Sequence, residues 1–230
     1  MKDKVMIIAP HPDDAEIAMG GTIARLTQAG VAVVVVDLTN GEPTPHGSPE
    51  IRAKETAAAS KVLGVTERVL LDLPNREVFD TTENRNKVAN VIREHKPNIL
   101  FAPYWEDTHP DHTESLKLIE AARFYSKFVK SDLFHQPHYP RKLFHFLSTH
   151  IRPKVTPSFV FDISSTFEKK MESLKCYHSQ FIAHEKNQVV FEALENENRF
   201  WGRQAGVRYG EPFVCREQIV ISNEEALLEL

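Results

Sequence analysis

The sequence predicts an α/β protein with a doubly wound, mostly parallel sheet and helices on both of its faces. Short runs of apolar, β-branched residues alternate with longer segments of helical periodicity, and the connections between them are short. Residues 31–38 include an almost continuous series of valines, which is typical of a parallel strand that is covered on both faces. Strands and helices that alternate in this way pack as a sheet between two layers of helices.

Four strand–helix pairs are expected in the first 126 residues. Their ends carry familiar signals, since Gly30 follows the first helix, Pro49 is the first residue of the second and Pro97 follows the third. The predicted strands are residues 5–9, 31–38, 68–73 and 98–103, and the predicted helices are residues 14–29, 49–64, 83–95 and 112–126.

The pattern is less regular beyond residue 140. Strands are expected at residues 143–147, 159–163 and 216–221, and a helix at residues 187–203. Ser165 and Glu168 form a capping-box pattern at the start of a further helix, which ends near His178. We expect residues 1–230 to form a single domain, with an irregular region at about residues 123–158 that contacts substrate or another subunit. The acidic residues 223–230 are expected to be an exposed end.

The composition excludes several classes of protein. A formal net charge of −4 does not fit a nucleic-acid-binding surface, which is normally basic. The two cysteines, Cys176 and Cys215, lie far apart, which argues against a disulfide framework and fits a reducing compartment. No segment approaches the roughly 18 apolar residues that are needed to span a bilayer. We therefore expect a cytoplasmic protein that binds neither nucleic acid nor membranes.

Two clusters of polar residues follow strands of the predicted sheet. Residues 11–14, with the sequence His-Pro-Asp-Asp, come directly after the first strand, and residues 109–112, with the sequence His-Pro-Asp-His, come shortly after the fourth. Ligands of open α/β sheets bind beyond the carboxyl ends of the strands, at the point where the strand order reverses. The first and fourth strands are commonly neighbours at that point, so both clusters are expected to face one crevice.

The residue types in these clusters suit zinc. A catalytic zinc site uses three protein ligands, commonly imidazole and carboxylate, and leaves one position open for water. His11 and Asp14 are three residues apart across a strand-to-helix turn, and His109 and His112 are one helical turn apart. Two histidines and one carboxylate complete a ligand set. A carboxylate and an imidazole then remain for a general base and an electrostatic stabiliser.

Simpler interpretations exist for each cluster on its own. An aspartate after a strand can cap a helix, and His-Pro-Asp-His can be a polar helix start. The presence of both clusters at strand ends of one sheet favours a functional site. A dinucleotide-binding site is excluded because the turn after the first strand lacks Gly-x-Gly-x-x-Gly, and Gly20 and Gly21 lie inside the helix.

The two clusters resemble the metal motifs of the PIG-L/LmbE-like zinc N-deacetylases. This family is similar to the present sequence over most of the chain, and the resemblance implies a Rossmann-like fold. The branch that deacetylates N-acetylglucosaminyl-malate in bacillithiol biosynthesis is the most similar in the C-terminal part of the chain. Further matching segments are residues 20–22, 39–42, 103–112, 179–181 and 206–213, together with Arg52 and Glu55.

The resemblance implies a role for each residue of the two motifs. His11, Asp14 and His112 are the implied zinc ligands. Asp13 is the implied general base, which takes a proton from the attacking water and passes it to the departing amine. His109 faces the developing oxyanion, as an imidazolium or as a neutral hydrogen-bond donor.

The resemblance also implies supporting contacts. Asp111 orients an imidazole, and Arg52 contacts substrate at the sugar hydroxyls. Members of the bacillithiol branch often carry an arginine at the position of Thr108, where it can pair with a substrate carboxylate. Arg52, Arg203 or Arg208 is an alternative partner for such a carboxylate.

The resulting hypothesis is a zinc-dependent hydrolase that removes the N-acetyl group from an N-acetylglucosamine conjugate, with the malate conjugate as the expected substrate. Iron(II) accepts the same ligands, and the family resemblance implies a homo-oligomer. One alternative keeps the metal and acts on a chitobiose-type sugar or an N-acyl amine. A phosphoesterase is a weaker alternative, because two-metal sites usually need more carboxylates. A non-catalytic metal- or sugar-binding protein would need neither Asp13 nor His109.

Overall fold

The predicted alternation of strands and helices is present in the computed structural model, which describes residues 3–183 and 185–220. The strands are β1 (Lys4–Ala9), β2 (Ala32–Thr39), β3 (Glu67–Leu73), β4 (Ile99–Pro103), β5 (Lys142–Phe146), β6 (Phe159–Asp162) and β7 (Gly210–Val214). The helices are α1 (Asp14–Gln28), α2 (Pro49–Leu63), α3 (Thr82–His95), α4 (Pro110–Tyr125), α5 (Phe167–Lys175) and α6 (Val189–Gln204). Short π-helical and 3₁₀ turns at His178–Ile182 and Glu185–Asn187 connect α5 to α6.

The strands form one sheet in the order β3-β2-β1-β4-β5-β7-β6. The first five strands of this order are parallel, and β7 runs antiparallel to both β5 and β6. β1 lies between β2 and β4, with Val5 opposite Val33 on one side and Ile99 on the other. The prediction that the first and fourth strands are neighbours is therefore confirmed, and their carboxyl ends open on the same edge of the sheet.

Helices cover both faces of the sheet, as predicted. β1 shows the alternation that this requires, since Met6 and Ile8 pack into one apolar layer and Val5, Ile7 and Ala9 into the other. The first layer contains residues of α3 and α4, and the second contains residues of α1. Burial on both faces explains why β1 and β2 are continuous apolar runs. Among the residues that the structure describes, no helix is both long and apolar enough to cross a bilayer.

The predicted last strand is wrong. Residues 216–220 form no strand, and residue 221 lies outside the described residues, as does the acidic end at residues 223–230. The last strand is β7, which contains Pro212 opposite Val160 of β6. Proline cannot donate a backbone hydrogen bond and usually argues against a strand inside a sheet, so the sequence pattern concealed this element.

The capping box predicted at the start of α5 does not form. The residue before the helix is Thr166 rather than Ser165, and its hydroxyl donates to the backbone oxygen of Gly21 in α1 at 2.8 Å. α1 and α5 approach closely here: a Cβ atom added to Gly20 of α1 would lie 3.1 Å from the side chain of Lys170 in α5. The hydroxyl of Thr166 is thus used in a contact with α1 rather than in a cap of its own helix. α5 ends at Lys175, before the predicted end at His178.

The irregular region between α4 and β6 is interrupted by β5, and its first part is organised by one arginine. Arg93 of α3 is 2% exposed, and its guanidinium donates to the backbone oxygens of Ser126 at 2.9 Å, Leu133 at 3.3 Å and His135 at 3.3 Å. Backbone carbonyls of a loop need such donors when water is excluded. The guanidinium of Arg93 therefore satisfies backbone carbonyl groups of this segment that are not hydrogen-bonded in a helix or strand.

A buried ion pair joins α5 to β7. Nζ of Lys170 lies 2.7 Å from Oε1 of Glu211, and both side chains are at most 1% exposed. The carboxylate of Glu211 also accepts the backbone N–H groups of Gly21 at 3.1 Å and Thr22 at 2.7 Å. α1 is interrupted at Met19, where φ is −145°, so the turn that follows needs an acceptor from outside the helix. Glu211 provides this acceptor.

Replacing the lysine of this pair should destabilise the protein. We expect Lys170→Met to lower the free energy of unfolding by about 3–5 kcal/mol, because Glu211 is left as a buried carboxylate without its cation. Urea denaturation followed by circular dichroism measures the change. Lys169→Met is the matched control on the exposed side of α5, with an expected change within about 0.5 kcal/mol. Equal effects of the two substitutions would contradict this account.

Candidate metal centre

Three neighbouring parallel strands deliver the polar residues of the site to one edge of the sheet. His11 follows β1, His109 immediately precedes α4 in the segment after β4, and Ser148 follows β5. Because β1, β4 and β5 are adjacent and parallel, the segments after their carboxyl ends meet. The structure thus brings the two predicted polar clusters together and adds a segment after β5 that the sequence analysis did not include.

The three predicted metal ligands lie within reach of one ion. One ligand atom from each of His11, Asp14 and His112 lies within 4.8 Å of the other two. Oδ2 of Asp14 is the shared point, at 3.2 Å from Nδ1 of His11 and 3.4 Å from Nε2 of His112. Asp14 and His112 are almost fully buried, and the side chain of His11 is 14% exposed.

The other ring nitrogen of each histidine faces an acceptor. Nε2 of His11 lies 3.0 Å from Oδ2 of Asp111. Nδ1 of His112 lies 2.9 Å from the backbone oxygen of Ser148. A neutral imidazole carries its proton on the nitrogen that donates, so the two remaining lone pairs converge on the Asp14 carboxylate. Lone pairs and a carboxylate repel each other unless a cation lies between them, and this donor set therefore fits a divalent metal.

The pKa values of His11 and Asp14 also indicate that the candidate site favours positive charge. Burial lowers the pKa of His11, but hydrogen bonds to Asp111 and Asp14 raise it to about 10. Burial also opposes the charge of Asp14, yet the adjacent His112 and His11 hold the pKa of Asp14 well below its usual range. An extra proton on the imidazoles and a bound metal cation satisfy the same excess of negative charge.

Asp111 holds the outer side of His11. The carboxylate is 1% exposed, and it accepts the backbone N–H groups of Arg76 at 2.7 Å and Val78 at 3.3 Å in addition to its contact with His11. These hydrogen bonds hold the pKa of Asp111 below its ordinary value against the effect of burial. If His11 binds a metal, these contacts would place Asp111 as the carboxylate that orients its imidazole, and this role stays a prediction.

His112 and Asp14 each have a supporting partner that the sequence analysis missed. Oδ2 of Asp107 lies 2.8 Å from Nδ1 of His112, and the hydroxyl of Ser148 donates to Oδ1 of Asp14 at 2.6 Å. Asp107 stands two residues before the second motif, and Ser148 follows a strand that is parallel to β1 and β4. Position at the carboxyl end of β5 was the available signal for Ser148.

Asp13 lies beside the three candidate ligands in a strained backbone conformation. Its φ is 99°, in the left-handed region that costs a residue with a side chain about 1–3 kcal/mol. Nη1 of Arg52 lies 2.8 Å from Oδ2 of Asp13, and Nε of the same guanidinium lies 3.5 Å from Oε1 of Glu42. Burial raises the pKa of Asp13, and the charge of Arg52 opposes that rise.

Arg52 therefore has a partner within the protein. Its side chain is 5% exposed and lies against Asp13 and Glu42, although part of it lines the cavity described below. Contact between Arg52 and a substrate stays a prediction.

His109 caps the start of α4 with its ring. Nδ1 accepts the backbone N–H of Asp111 at 3.2 Å, so in a neutral ring the proton is on Nε2. The ring centre lies 4.9 Å from those of His11 and His112. Burial and the neighbouring imidazoles His11 and His112 lower the pKa of His109. A neutral ring that donates through Nε2 is the form that this environment favours.

The candidate centre opens into a cavity of about 1040 Å³. One face of α6 also lines this cavity; its lining residues recur at the spacing of a helix and include only one charged side chain, Glu197. Basic groups from other elements, Arg76, Arg152 and Lys186, complete the rim. Glu197 and the aromatic Trp201 are among the residues of α6 that line the cavity.

Comparison with known families decides the class of this protein. Residues 6–122, which contain both predicted motifs, match the family model described as PIG-L: GlcNAc-PI de-N-acetylase. The chain belongs to the PIG-L family. Among its curated relatives is the diacetylchitobiose deacetylase of Thermococcus kodakarensis, which is 34% identical over 227 residues, covering 90% of this chain and 81% of the relative.

Two further comparisons extend this result. A probable N-acetyl-α-D-glucosaminyl L-malate deacetylase of Bacillus cereus is 28% identical and covers 78% of this chain and 84% of its own length. The crystal structure of a conserved protein from Thermus thermophilus superposes with a TM-score of 0.88 at 37% identity, covering 97% of this chain and 99% of that protein. The predicted family and fold are confirmed, and the chain is a hydrolytic N-deacetylase.

Removing the hydroxyl of Ser148 should weaken metal binding. We expect Ser148→Ala to raise the dissociation constant for Zn²⁺ about tenfold, because Oδ1 of Asp14 loses a buried hydrogen bond that orients the carboxylate. Competition with a chromophoric chelator measures the constant. Thr149→Val is the matched control, since the hydroxyl of Thr149 donates to the backbone oxygen of Ile151 instead. An unchanged constant for Ser148→Ala would contradict the orienting role.

Proposed function

We propose that this protein is a zinc-dependent hydrolase that removes the N-acetyl group from an N-acetylglucosamine conjugate. One observation carries the proposal: two imidazole lone pairs and the Asp14 carboxylate converge on one point beside a separate carboxylate, Asp13. His11, Asp14 and His112 would hold the ion. Among the described residues, Asp13 is in none of the clusters whose ligand atoms lie close enough together to bind a metal. A ligand set with a free carboxylate beside it suits amide hydrolysis by metal and general base.

Zinc is the metal that this ligand set favours. Two imidazoles and one carboxylate are the ligands of several catalytic zinc sites, in which the fourth position stays open. Iron(II) accepts the same ligands, and affinity alone does not decide which metal a protein carries. Metal analysis of the purified protein separates the two.

The base in the proposed mechanism is Asp13. A zinc ion held by His11, Asp14 and His112 would supply Lewis acidity to the acetyl carbonyl and to the attacking water. Oδ1 or Oδ2 of Asp13 accepts the proton of that water as the carbon–oxygen bond forms. Arg52 holds the carboxylate in place through its 2.8 Å contact and favours the ionised form. The same proton then passes from Asp13 to the sugar nitrogen as the carbon–nitrogen bond breaks, leaving a free amine and acetic acid, which loses its remaining proton to give acetate.

His109 is proposed to stabilise the oxyanion. Its Nδ1 is engaged by the backbone N–H of Asp111, which leaves Nε2–H as the donor. A preorganised donor of this kind is worth about 10²–10³ in rate. The lowered pKa of His109 supports the neutral donor, of the two forms that the sequence analysis left open.

The malate conjugate is the first substrate to test. The Bacillus cereus relative is named for that substrate, and Arg76 and Arg152 line the cavity, where a guanidinium can meet a carboxylate. Arg203 and Arg208, which the sequence analysis suggested for this role, are both exposed and lie outside the described lining of the cavity.

A disaccharide such as diacetylchitobiose is the second candidate. The Thermococcus relative named for that substrate is 34% identical. The wall formed by α6 is apolar and aromatic, and its charged lining residue is the acidic Glu197. A neutral sugar ring stacks on an aromatic side chain such as Trp201 more readily than a dicarboxylate does.

Oligomerisation and a cytoplasmic location complete the proposal. Four large apolar or aromatic side chains of the irregular region are exposed: Phe124 at 50%, Val129 at 85%, Phe134 at 71% and Tyr139 at 43%. Clustered exposed apolar groups are typical of contacts between subunits. The location rests on the cysteine content alone.

Acetate release from three compounds tests the function. The purified protein is incubated with N-acetylglucosaminyl-malate, diacetylchitobiose and N-acetylglucosamine, each with and without a chelator. We expect acetate release that the chelator abolishes. At least one of the two conjugates should release more acetate than free N-acetylglucosamine does. Release that persists after the metal has been removed, or no release from any of the three, would contradict the proposal.

Two substitutions separate the base from the ligands. We expect Asp13→Ala to retain bound zinc and lose turnover, because it removes the proton acceptor and none of the proposed ligands. His11→Ala should lose both, because it removes a ligand. Zinc content by mass spectrometry and acetate release measure the two effects. Near wild-type turnover of Asp13→Ala would rule out the mechanism.

A further inference from the structure

The carboxylate of Asp107 joins two segments of the chain at the candidate metal centre. Its side chain is fully buried, and Oδ1 accepts the backbone N–H groups of His109 at 3.3 Å and His150 at 3.0 Å. Oδ2 lies 2.8 Å from Nδ1 of His112 and 3.3 Å from Nδ1 of His150. Asp107 thus fixes the segment before α4 relative to the segment after β5.

His150 is a fourth imidazole at the centre, beyond the two motifs. Its ring centre lies 5.3 Å from that of His109 and 5.1 Å from that of His112. The side chain is 56% exposed and lines the cavity. An exposed imidazole whose ring and backbone are both held by one buried carboxylate is positioned rather than simply solvated.

The contact with Asp107 determines which ring nitrogen of His150 meets a ligand. Nδ1 faces the carboxylate, so in a neutral ring the proton is on Nδ1, as in other carboxylate–imidazole pairs. Nε2 is then left with a lone pair on the opposite side of the ring. A hydroxyl group of a carbohydrate is a donor that matches such an acceptor.

We propose that His150, positioned by Asp107, binds the substrate by accepting a hydrogen bond from a hydroxyl of the sugar or of the group attached to it. The inference rests on the proposed function, because it concerns the same cavity. His150 is then a specificity-determining residue and Asp107 its positioning residue.

A second metal ion is the competing use of these residues. Asp107, His112 and His150 also offer three ligand atoms within 4.8 Å of one another. Nδ1 of His150 faces Oδ2 of Asp107 as a hydrogen-bond donor, and Nδ1 of His112, which donates to the backbone oxygen of Ser148, lies 2.8 Å from the same carboxylate oxygen. An ion at this point would have to displace both protons, and His112 would then contact two cations at once. The hydrogen-bonded arrangement needs neither.

His150→Ala tests the proposal on the zinc-loaded protein. With the best substrate of the acetate assay we expect KM to rise about three- to tenfold, the effect of one neutral hydrogen bond, while kcat and zinc content stay near wild type. His150→Gln offers an amide oxygen as acceptor and should recover part of the loss. His178→Ala is the matched control, since His178 is exposed and outside the described lining of the cavity, and KM should not change.

The role of Asp107 is tested by combining substitutions. If Asp107 acts through His150, the rise in KM caused by Asp107→Asn should not increase further in the double variant with His150→Ala. Because Asp107 also contacts His112, zinc content is measured for each variant, and KM is compared at full zinc loading. Additive effects on KM would overturn the positioning role.

Three results would overturn the proposal for His150. These are an unchanged KM in His150→Ala, a fall of kcat in parallel with lost zinc, and a second equivalent of zinc bound by the wild type and absent from His150→Ala. Titration calorimetry with glucosamine gives a readout without turnover. Weaker glucosamine binding by His150→Ala supports the contact even where no acetate is released, a result that would contradict the proposed function alone. If no acetate is released and glucosamine binds equally to the wild type and His150→Ala, or to neither, the proposed contact is overturned as well.

Discussion

The parallel pairing of β1 between β2 and β4 is the constraint on which the candidate site depends. It places the turn after β1 and the segment before α4 on one edge of the sheet, although His11 and His112 are 101 residues apart in the chain. β5 extends the same parallel arrangement and adds Ser148 to that edge. The apolar layers on the two faces hold the strands in register, so the polar groups beyond their ends have little freedom to separate.

The electrostatics of the centre follow from this crowding. Four aspartates, Asp13, Asp14, Asp107 and Asp111, meet three buried or half-buried imidazoles and one guanidinium in a small volume. Their negative charge raises the pKa of His11 even though burial opposes it. A site of this kind is stable only with added positive charge, either protons or a cation. Metal affinity is therefore a property of the whole cluster and not only of the three proposed ligands.

The proposed general base is held by elements other than its own. Asp13 has a left-handed backbone conformation with a φ of 99°, and Arg52 of α2 holds its carboxylate. Glu42, in the loop after β2, contacts the same guanidinium. The strain at Asp13 is offset by these contacts and by the first turn of α1. Such a backbone conformation persists only where the surrounding structure determines it, which is common at active sites.

The sequence by itself determined the class of fold, the neighbouring positions of the first and fourth strands and the two motifs that meet beyond them. These follow from local signals, because alternation of apolar runs and the residues at helix ends depend only on nearby positions. It misplaced the last strand, because Pro212 lies inside β7, and it missed Asp107, Ser148 and His150 as partners of the centre. Only the tertiary structure decided these points and directed Arg52 towards Asp13, because each depends on contacts between residues far apart in the chain. That residues 1–230 form a single domain stays a prediction from the sequence.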